Sequence, residues 1–482
     1  MNTRRTKILA TLGPATDDEN ILDGLIAAGI DVARVNFSHG VADDHRRRVE
    51  QVRARAAALG RDVGVLADLQ GPKIRVEKFQ GGSVELVDGQ PFVLDAALAS
   101  DAGTLASVGI TYKNLPRDVK PDDVLLLNDG LIALRVDSVD GPRIHCLVLS
   151  GGELSNGKGI NRQGGGLSAG ALTDKDRADI KTAATLGCDY VAISFPRTAA
   201  DMDEARKLVR AAGSQAGLIA KIERAEAVEN IEEIIRASDA VMIARGDLGV
   251  EIGDAELPGV QKRIIHLARQ MNAVCITATQ MMESMIANPV PTRAEVLDVA
   301  NAVMDGTDAV MLSAETASGK YPVKAVQAMA RVCEGAERQR MTMRSRHRID
   351  QMFDRTDEAI AMAAMYTANH LAVRAIVALT ESGSTALWMS RIRSGIPVYA
   401  LTRHEATRRR VTLYRGVYPV AFDVIEKHPS RVTADAIDRL LELDAVAEGD
   451  RVIVTKGELS GIAGGTNSMK IVRVGDHKIL EN

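Results

Sequence analysis

Short runs of Val, Ile, Leu and Ala recur along the first two thirds of the chain, separated by longer stretches in which apolar residues return at helical spacing. That alternation predicts an α/β protein whose parallel strands are joined by crossover helices. Eight such runs precede residue 320: KILATLG from Lys7, DVARVNFS from Asp31, VGVLADL from Val63, DYVAISF from Asp189, GLIAKIE from Gly217, DAVMIARGD from Asp239, AVCITATQ from Ala273 and DAVMLSAE from Asp308. Helical patterns such as 41–59 and 257–272 lie between them. Eight strands alternating with helices predict a closed (β/α)8 TIM barrel, here formed by 1–70 and 173–345.

One connection breaks the pattern. Between Leu69 and about Thr173 the helical period disappears, and short alternating strands such as LIALRVDSV and RIHCLVLS follow turn signals at Val87-Asp88-Gly89 and Asp140-Gly141-Pro142. This segment, 71–172, predicts a β domain inserted after strand three. Its glycine-rich end, SNGKGINRQGGGLSAG at 155–170, reads either as a flexible return hinge or as a plain solvated loop. After about 345 a third unit begins, in which RAIVALT, IPVYALT, GVYPVAF and DRVIVTKG alternate with helices. It predicts an open α/β domain over 346–482.

Composition narrows the partners. With 482 residues and 46% hydrophobic content, the chain exceeds what one core usually holds. A net charge of -4 and 3% aromatic content give neither the field nor the stacking surface for nucleic acid. No apolar run approaches the ~18 residues of a membrane span, and the basic start MNTRRTKILATLG has too short an apolar segment for a signal peptide, so a cytoplasmic protein without a membrane partner is expected. Cys146, Cys188, Cys275 and Cys333 stand far apart and read as buried, reduced thiols.

Catalytic groups of such a barrel sit at the C-terminal strand ends, where side chains repeat with period two. Polar residues gather there: Arg34, Asn36 and Ser38 after strand two, Asp68 after three, Lys221 and Glu223 after five, Arg245 and Asp247 after six, Thr277 and Thr279 after seven, Ser313 and Glu315 after eight. A structural ion-pair network is the competing reading of the set. Glu223 and Asp247 follow consecutive strands and can share one ion, and an oxygen-only site suits Mg2+ or Mn2+. Lys221 can neutralise an oxyanion bound there, and Arg34 and Arg75 add donors suited to phosphate or carboxylate. A small anionic substrate is expected. The chain contains no Walker sequence, so any nucleotide must be held without a P-loop.

RVNFSHG at 34–40, GPKIR at 71–75, KIE at 221–223, ARGDLGVEI at 244–252, ATQMMESM at 278–285, PTRAEVLDVANAVMDGTDAVMLSAETASGKYP at 291–322 and TNSMKIV at 466–472 strongly resemble the pyruvate kinases. The resemblance covers nearly the whole chain. It implies glycolytic transfer of phosphate from phosphoenolpyruvate to ADP, giving pyruvate and ATP, on a TIM barrel with the inserted β domain 71–172 as a β-barrel lid and with a C-terminal α/β domain. It also implies a homotetramer under allosteric control. By position, Lys221 would stabilise the transferring phosphoryl and enolate charge, while Glu223 and Asp247 bind the divalent metal. Arg34 would hold the phosphate, and Gly246, Asp247 and Thr279 the substrate carboxylate. Asn36, His39, Arg75 and Lys158 match nucleotide-side positions. The enolate's proton donor is left between Thr279 and a water near Ser313 and Glu315. A metal-dependent aldolase or lyase acting through a pyruvate enolate is the alternative, although it needs neither the lid nor Arg75 and Lys158.

Two further features concern control. Many pyruvate kinases that require potassium read Asp-Thr-Lys-Gly-Pro-Glu-Ile-Arg-Thr where this chain reads Asp68-Leu69-Gln70-Gly71-Pro72-Lys73-Ile74-Arg75-Val76. Lys73 carries its own positive charge where a glutamate elsewhere adds a negative one, which predicts that K+ is not required. Asn36, Ser38 and Asp68 would then organise the pocket without holding an ion. LTESGSTA at 379–386 resembles the family's effector-phosphate loop, with Thr380, Ser382, Gly383, Ser384 and Thr385 as its candidate residues for a phosphorylated effector. An ordinary capped βα turn explains the same residues.

Overall fold

A computed structural model describes residues 4–343, 352–428, 430–457 and 464–478. The expected boundary at 345/346 lies outside the described residues. The eight apolar runs form eight parallel strands: β1 (Lys7–Leu12), β2 (Val32–Asn36), β3 (Gly64–Asp68), β4 (Tyr190–Ile193), β5 (Gly217–Ile222), β6 (Ala240–Ala244), β7 (Val274–Ala278) and β8 (Ala309–Leu312). They pair in chain order, and β1 pairs with both β2 and β8, which closes the barrel. Alternation sorts the side chains. Ile8, Ala10 and Leu12 pack in the layer under the helices, whereas Leu9, Val32, Leu66, Ile219 and Met242 fill the barrel interior. Local chemistry sets the helix ends: Thr292 and Glu295 form a capping box at the start of Arg293–Asp305, and Gly306, at φ 106, stops that helix.

The segment between β3 and β4 carries a six-stranded sheet in the order Ile160–Arg162, Val124–Leu127, Ile132–Asp140, Arg143–Ser150, Pro91–Asp95, Ser107–Gly109. A separate pair joins Ser83–Leu86 to Gly152–Ser155. The outer strands of this sheet do not pair with each other directly. Two single bridges, Arg75 to Gly159 and Val76 to Ile110, connect its edges instead. The insertion has its own core, including Phe92, Leu125, Leu134 and Ile144.

The C-terminal sheet contains β9 (Ala375–Leu379), β10 (Val398–Thr402), β11 (Val417–Ala421), β12 (Arg451–Gly457) and β13 (Thr466–Arg473), ordered β11-β10-β9-β12-β13. The last strand is antiparallel, unlike the other four. One face of this unit continues the barrel's interior core through Met365, Met389, Val411 and Tyr414, so it closes the N-terminal end of the barrel. The opposite mouth is left to the lid. Arg391, wholly buried at the junction, holds Asp308 with both Nη atoms, at 2.5 and 2.9 Å, and donates to the Ala273 carbonyl. All four cysteines are free and buried, as expected. Among the described residues no helix is long and apolar enough to cross a membrane.

Candidate active site

Interior parity carries Arg34, Asp68 and Lys221 toward the axis, and their charges meet at the mouth. Arg34 donates from Nε to Asp68 Oδ2 at 2.6 Å and from Nη1 to Thr11 Oγ1 at 2.9 Å. Lys221 Nζ lies 2.9 Å from Glu223 Oε1, 3.3 Å from Asp68 Oδ1 and 2.8 Å from Ser194 Oγ, to which it donates. Asp68 Oδ1 has no aligned hydrogen bond despite being buried, so the Lys221 charge is what satisfies it.

Burial would lower Lys221, but Asp68 and Glu223 outweigh it and hold the ammonium above its ordinary range. Burial would likewise raise Asp68, yet Lys221 and Arg34 hold it below the usual carboxylate range. Glu223 moves the other way. Its burial, with help from Asp247 and Asp68, raises it against the pull of Lys221. The mouth therefore presents a permanently charged lysine between two carboxylates of different basicity.

Lys73, at the root of the lid, donates to Asp247 Oδ1 at 2.9 Å. It thus meets the carboxylate that the sequence assigned to the metal, while Asp68 is met by Arg34 and Lys221. His39 is lowered first by burial and then by the charges of Arg75, Arg34 and Lys73, so its imidazole is held neutral beside three cationic side chains. Arg75 donates to the Gly157 carbonyl at 2.8 Å, and the neighbouring Lys158 carbonyl accepts from the Val76 N–H at 2.9 Å. Asn36 Oδ1 accepts from the Ser38 N–H at 3.1 Å.

Not every residue at a strand end faces the mouth. β6 stops at Ala244, and Arg245–Ile252 is helical, so Arg245 and Asp247 sit in a first turn and not on a strand. Arg245 turns away and supports the next loop, donating to the Thr279 and Gln280 carbonyls and to Asp298. Thr277 has the parity of the helix-facing layer and bonds Thr307 Oγ1 at 3.0 Å. Thr279 reaches the site only because the backbone leaves strand geometry, with φ 67 there and 53 at Gln280. Its hydroxyl accepts from the Gly246 N–H at 2.9 Å. Glu315 is buried and accepts from the backbone N–H groups of Ser313, at 2.6 Å, and Met282, at 3.1 Å.

Two residues of the mouth escape the sequence reading. Thr11 and Ser194 end β1 and follow β4, and the period-two rule applied to those strands points to both. The Phe195 N–H donates to Glu223 Oε2 at 2.9 Å, from a backbone at φ 57. In the C-terminal unit, the 379–386 loop is internally bonded: the Gly383 N–H donates to Thr380 Oγ1 at 2.9 Å, Ser382 Oγ lies 3.2 Å from Ser384 Oγ, and buried Thr385 pairs with Thr466 at 2.8 Å.

Comparison with known proteins agrees with this geometry. The family description "Pyruvate kinase, barrel domain" matches residues 3–326, and "Pyruvate kinase, alpha/beta domain" matches 358–472. The chain is 56% identical over 480 residues to pyruvate kinase II of Salmonella typhimurium, covering 98% of this chain and 99% of that one. It is 55% identical over 458 residues to a pyruvate kinase of Haemophilus influenzae, covering 94% and 96%. A Mycobacterium tuberculosis pyruvate kinase is 42% identical over 480 residues, covering 99% of this chain and 100% of that one. None of these supports the aldolase alternative. With both domain descriptions matched and relatives of this identity aligned nearly end to end, the chain belongs to the pyruvate kinase family.

Proposed function

We propose that this chain transfers the phosphoryl group of phosphoenolpyruvate to ADP, giving pyruvate and ATP, at the mouth described above. The observation that carries this reading is Lys221, buried between Asp68 and Glu223 with its charge held on. Phosphoryl transfer needs positioned charge more than covalent chemistry. Lys221 and Arg34 stabilise the negative charge of the moving phosphoryl group, and Lys221 then stabilises the enolate left behind. The Gly246 and Asp247 N–H groups, with the Thr279 hydroxyl, take the substrate carboxylate. On that step the Gly246 N–H exchanges its Thr279 oxygen for the carboxylate. Asn36, His39, Arg75 and Lys158 bind the nucleotide phosphates. The enolate's proton comes from Thr279, whose hydroxyl now donates to the Ala278 carbonyl at 2.6 Å, or from a water near Ser313 and Glu315.

Glu223 and Asp247 fit a divalent cation: each now faces an ammonium, Lys221 or Lys73 at 2.9 Å, where a cation neutralises charge. Among the described residues no group of three or more His, Cys, Asp or Glu forms a metal cluster, so two carboxylates leave positions for water and substrate oxygens. Mg2+ or Mn2+ held there supplies charge neutralisation at the phosphate oxygens. Potassium is not required in this reading, because Lys73 supplies a charge at the lid root.

We place the lid at 71–172, the enzyme in the cytoplasm as a homotetramer, and a phosphorylated effector at Thr380, Ser382 and Ser384. A coupled assay for pyruvate with and without ADP tests the reaction: strictly ADP-dependent pyruvate release is expected, and release without ADP refutes it. Saturation curves for phosphoenolpyruvate with a panel of phosphorylated sugars test the effector loop, and unchanged curves across the panel eliminate it.

A further inference from the structure

The glycine-rich return of the lid is held to the barrel by residues of two short helices and by Arg224. Gly164, Gly165 and Gly166 all have positive φ, at 80, 76 and 90. The Gly166 N–H donates to Glu226 Oε1 at 2.5 Å, and the Gly164 N–H donates to the Glu251 carbonyl at 2.9 Å. Space there is closed: a Cβ on Gly165 would lie 2.6 Å from Glu226 Oε2, a buried oxygen with no hydrogen-bond partner. The Glu251 carboxylate accepts the Ala225 N–H at 3.0 Å and a hydrogen bond from Asn161, on the lid's last strand. Arg224 adds donation to the Leu167 carbonyl at 3.1 Å.

The two ends of the insertion are also tied to each other. Asp176, wholly buried, accepts from the Gly71 N–H at 3.0 Å on Oδ1 and from the Thr173 N–H at 2.9 Å on Oδ2. Gly71 cannot be larger, since a Cβ would stand 2.7 Å from the Cβ of Ser194, the residue that accepts from Lys221.

Glu226 lies three residues after Glu223, and Glu251 four residues after Asp247. Glu226 opens the short helix Ala225–Glu229 just after Glu223, and Glu251 shares the helix Arg245–Ile252 with Asp247, so the segments next to the two site carboxylates also grip the lid. We propose that Asp176, Glu226 and Glu251 are positioning residues: Glu226 and Glu251 seat the lid's return on those segments, Asp176 on the helix Asp174–Thr185 ties the two ends of the insertion together, and all three so set where Lys73 meets Asp247. Residues 164–166 are a docking surface in this arrangement, and lid movement is confined to the chain beyond them. The proposal rests on the phosphoryl-transfer reading above for its readout.

The test compares Glu226→Ala, Glu226→Gln and Gly165→Ala in the full-length enzyme. Glu226→Ala removes the acceptor for Gly166, whereas Glu226→Gln keeps a carbonyl oxygen there. We expect Glu226→Ala and Gly165→Ala to lower kcat by roughly ten- to a hundredfold, the scale of a small misplacement of reacting groups, with the KM for phosphoenolpyruvate changed much less. Glu226→Gln should stay within a few-fold of the unmodified enzyme. Hydrogen exchange over 160–169 should rise in the first two variants and not in the third. Wild-type kcat and protection in Glu226→Ala, or equal impairment of the Ala and Gln variants, overturns the proposal. If Glu226→Ala does not fold, Gly165→Ala decides by the same readouts. Absence of ADP-dependent turnover in the unmodified enzyme is a different outcome, which refutes the reaction and not the seating.

Discussion

Replacing Lys221 by Met removes one charge from between two buried carboxylates, and both stability and rate should report it. At 2.9 and 3.3 Å the ammonium's attractions to Glu223 and Asp68 are each worth about 5 to 6 kcal/mol gross at an effective dielectric of 20. Much of that is offset by the desolvation that Lys221 itself no longer suffers. Breaking a buried pair typically costs about 3–5 kcal/mol net, because the partners are left uncompensated. Here Arg34 still holds Asp68, so the burden falls on Glu223, which burial and Asp247 already raise.

Without Lys221 the Glu223 pKa rises further, and the sign follows. A carboxyl whose folded pKa exceeds its unfolded one stabilises below the unfolded value and loses that contribution as pH rises through the folded one. Lys221→Met should therefore be destabilised by several kcal/mol in alkaline buffer and recover on acidification toward the ordinary glutamate range, as followed by urea denaturation monitored by circular dichroism. Turnover at saturating substrates should drop by about a thousandfold or more, because the lost group acts where charge develops. A folded variant with near-normal turnover would falsify the role given to Lys221. A pH-independent stability loss would show that Glu223 is not the group left uncompensated.

Three other outcomes follow from named contacts. Burial raises Glu251 to about 7 against the opposing Ala225 N–H and Arg224, so it stabilises most in acid and loses up to about 3 kcal/mol as pH rises from about 4.5 through 7. Glu251→Gln should flatten that slope in denaturation curves, and an unchanged slope contradicts the assignment. Lys73→Glu places a carboxylate beside Asp247 and should cut activity about tenfold or more in potassium-free, ammonium-free buffer, with partial rescue by added potassium; a strong potassium response in the unmodified enzyme argues against the role of Lys73. Arg391→Met strands Asp308 at the junction of barrel and C-terminal sheet and should cost about 3–5 kcal/mol by urea denaturation, so a loss below 1 kcal/mol contradicts the burial argument.

The eight barrel strands were legible because they are buried on both faces, which leaves unbroken apolar runs in the sequence. β13 was not, since its residues alternate poorly between buried and exposed and its direction depends on its neighbour β12. At the site, parity correctly brought Arg34, Asp68 and Lys221 together. It failed at Arg245, Thr277 and Thr279, where the backbone becomes helical, where the residue keeps helix-facing parity, and where φ turns positive. Those departures are local choices made by tertiary contacts, such as Arg245 bonding the Thr279 carbonyl. The pairing of Lys73 with Asp247 joins residues 174 positions apart on different units, and no spacing rule reaches across that gap. The contacts of the triple glycine with Glu226 and the Glu251 carbonyl were illegible for the same reason, because both partners come long after it in sequence, and residues 155–170 alone read equally as a hinge or a solvated loop.

Phosphorus NMR of one sample containing enzyme, magnesium, phosphoenolpyruvate and ADP, without potassium or ammonium, follows the transferred group itself. The account predicts that the phosphoenolpyruvate resonance is replaced one for one by the γ-phosphate of ATP, with no inorganic phosphate from the substrate and no conversion when ADP is left out. Loss of phosphoenolpyruvate to inorganic phosphate, or conversion that proceeds without ADP, would contradict it.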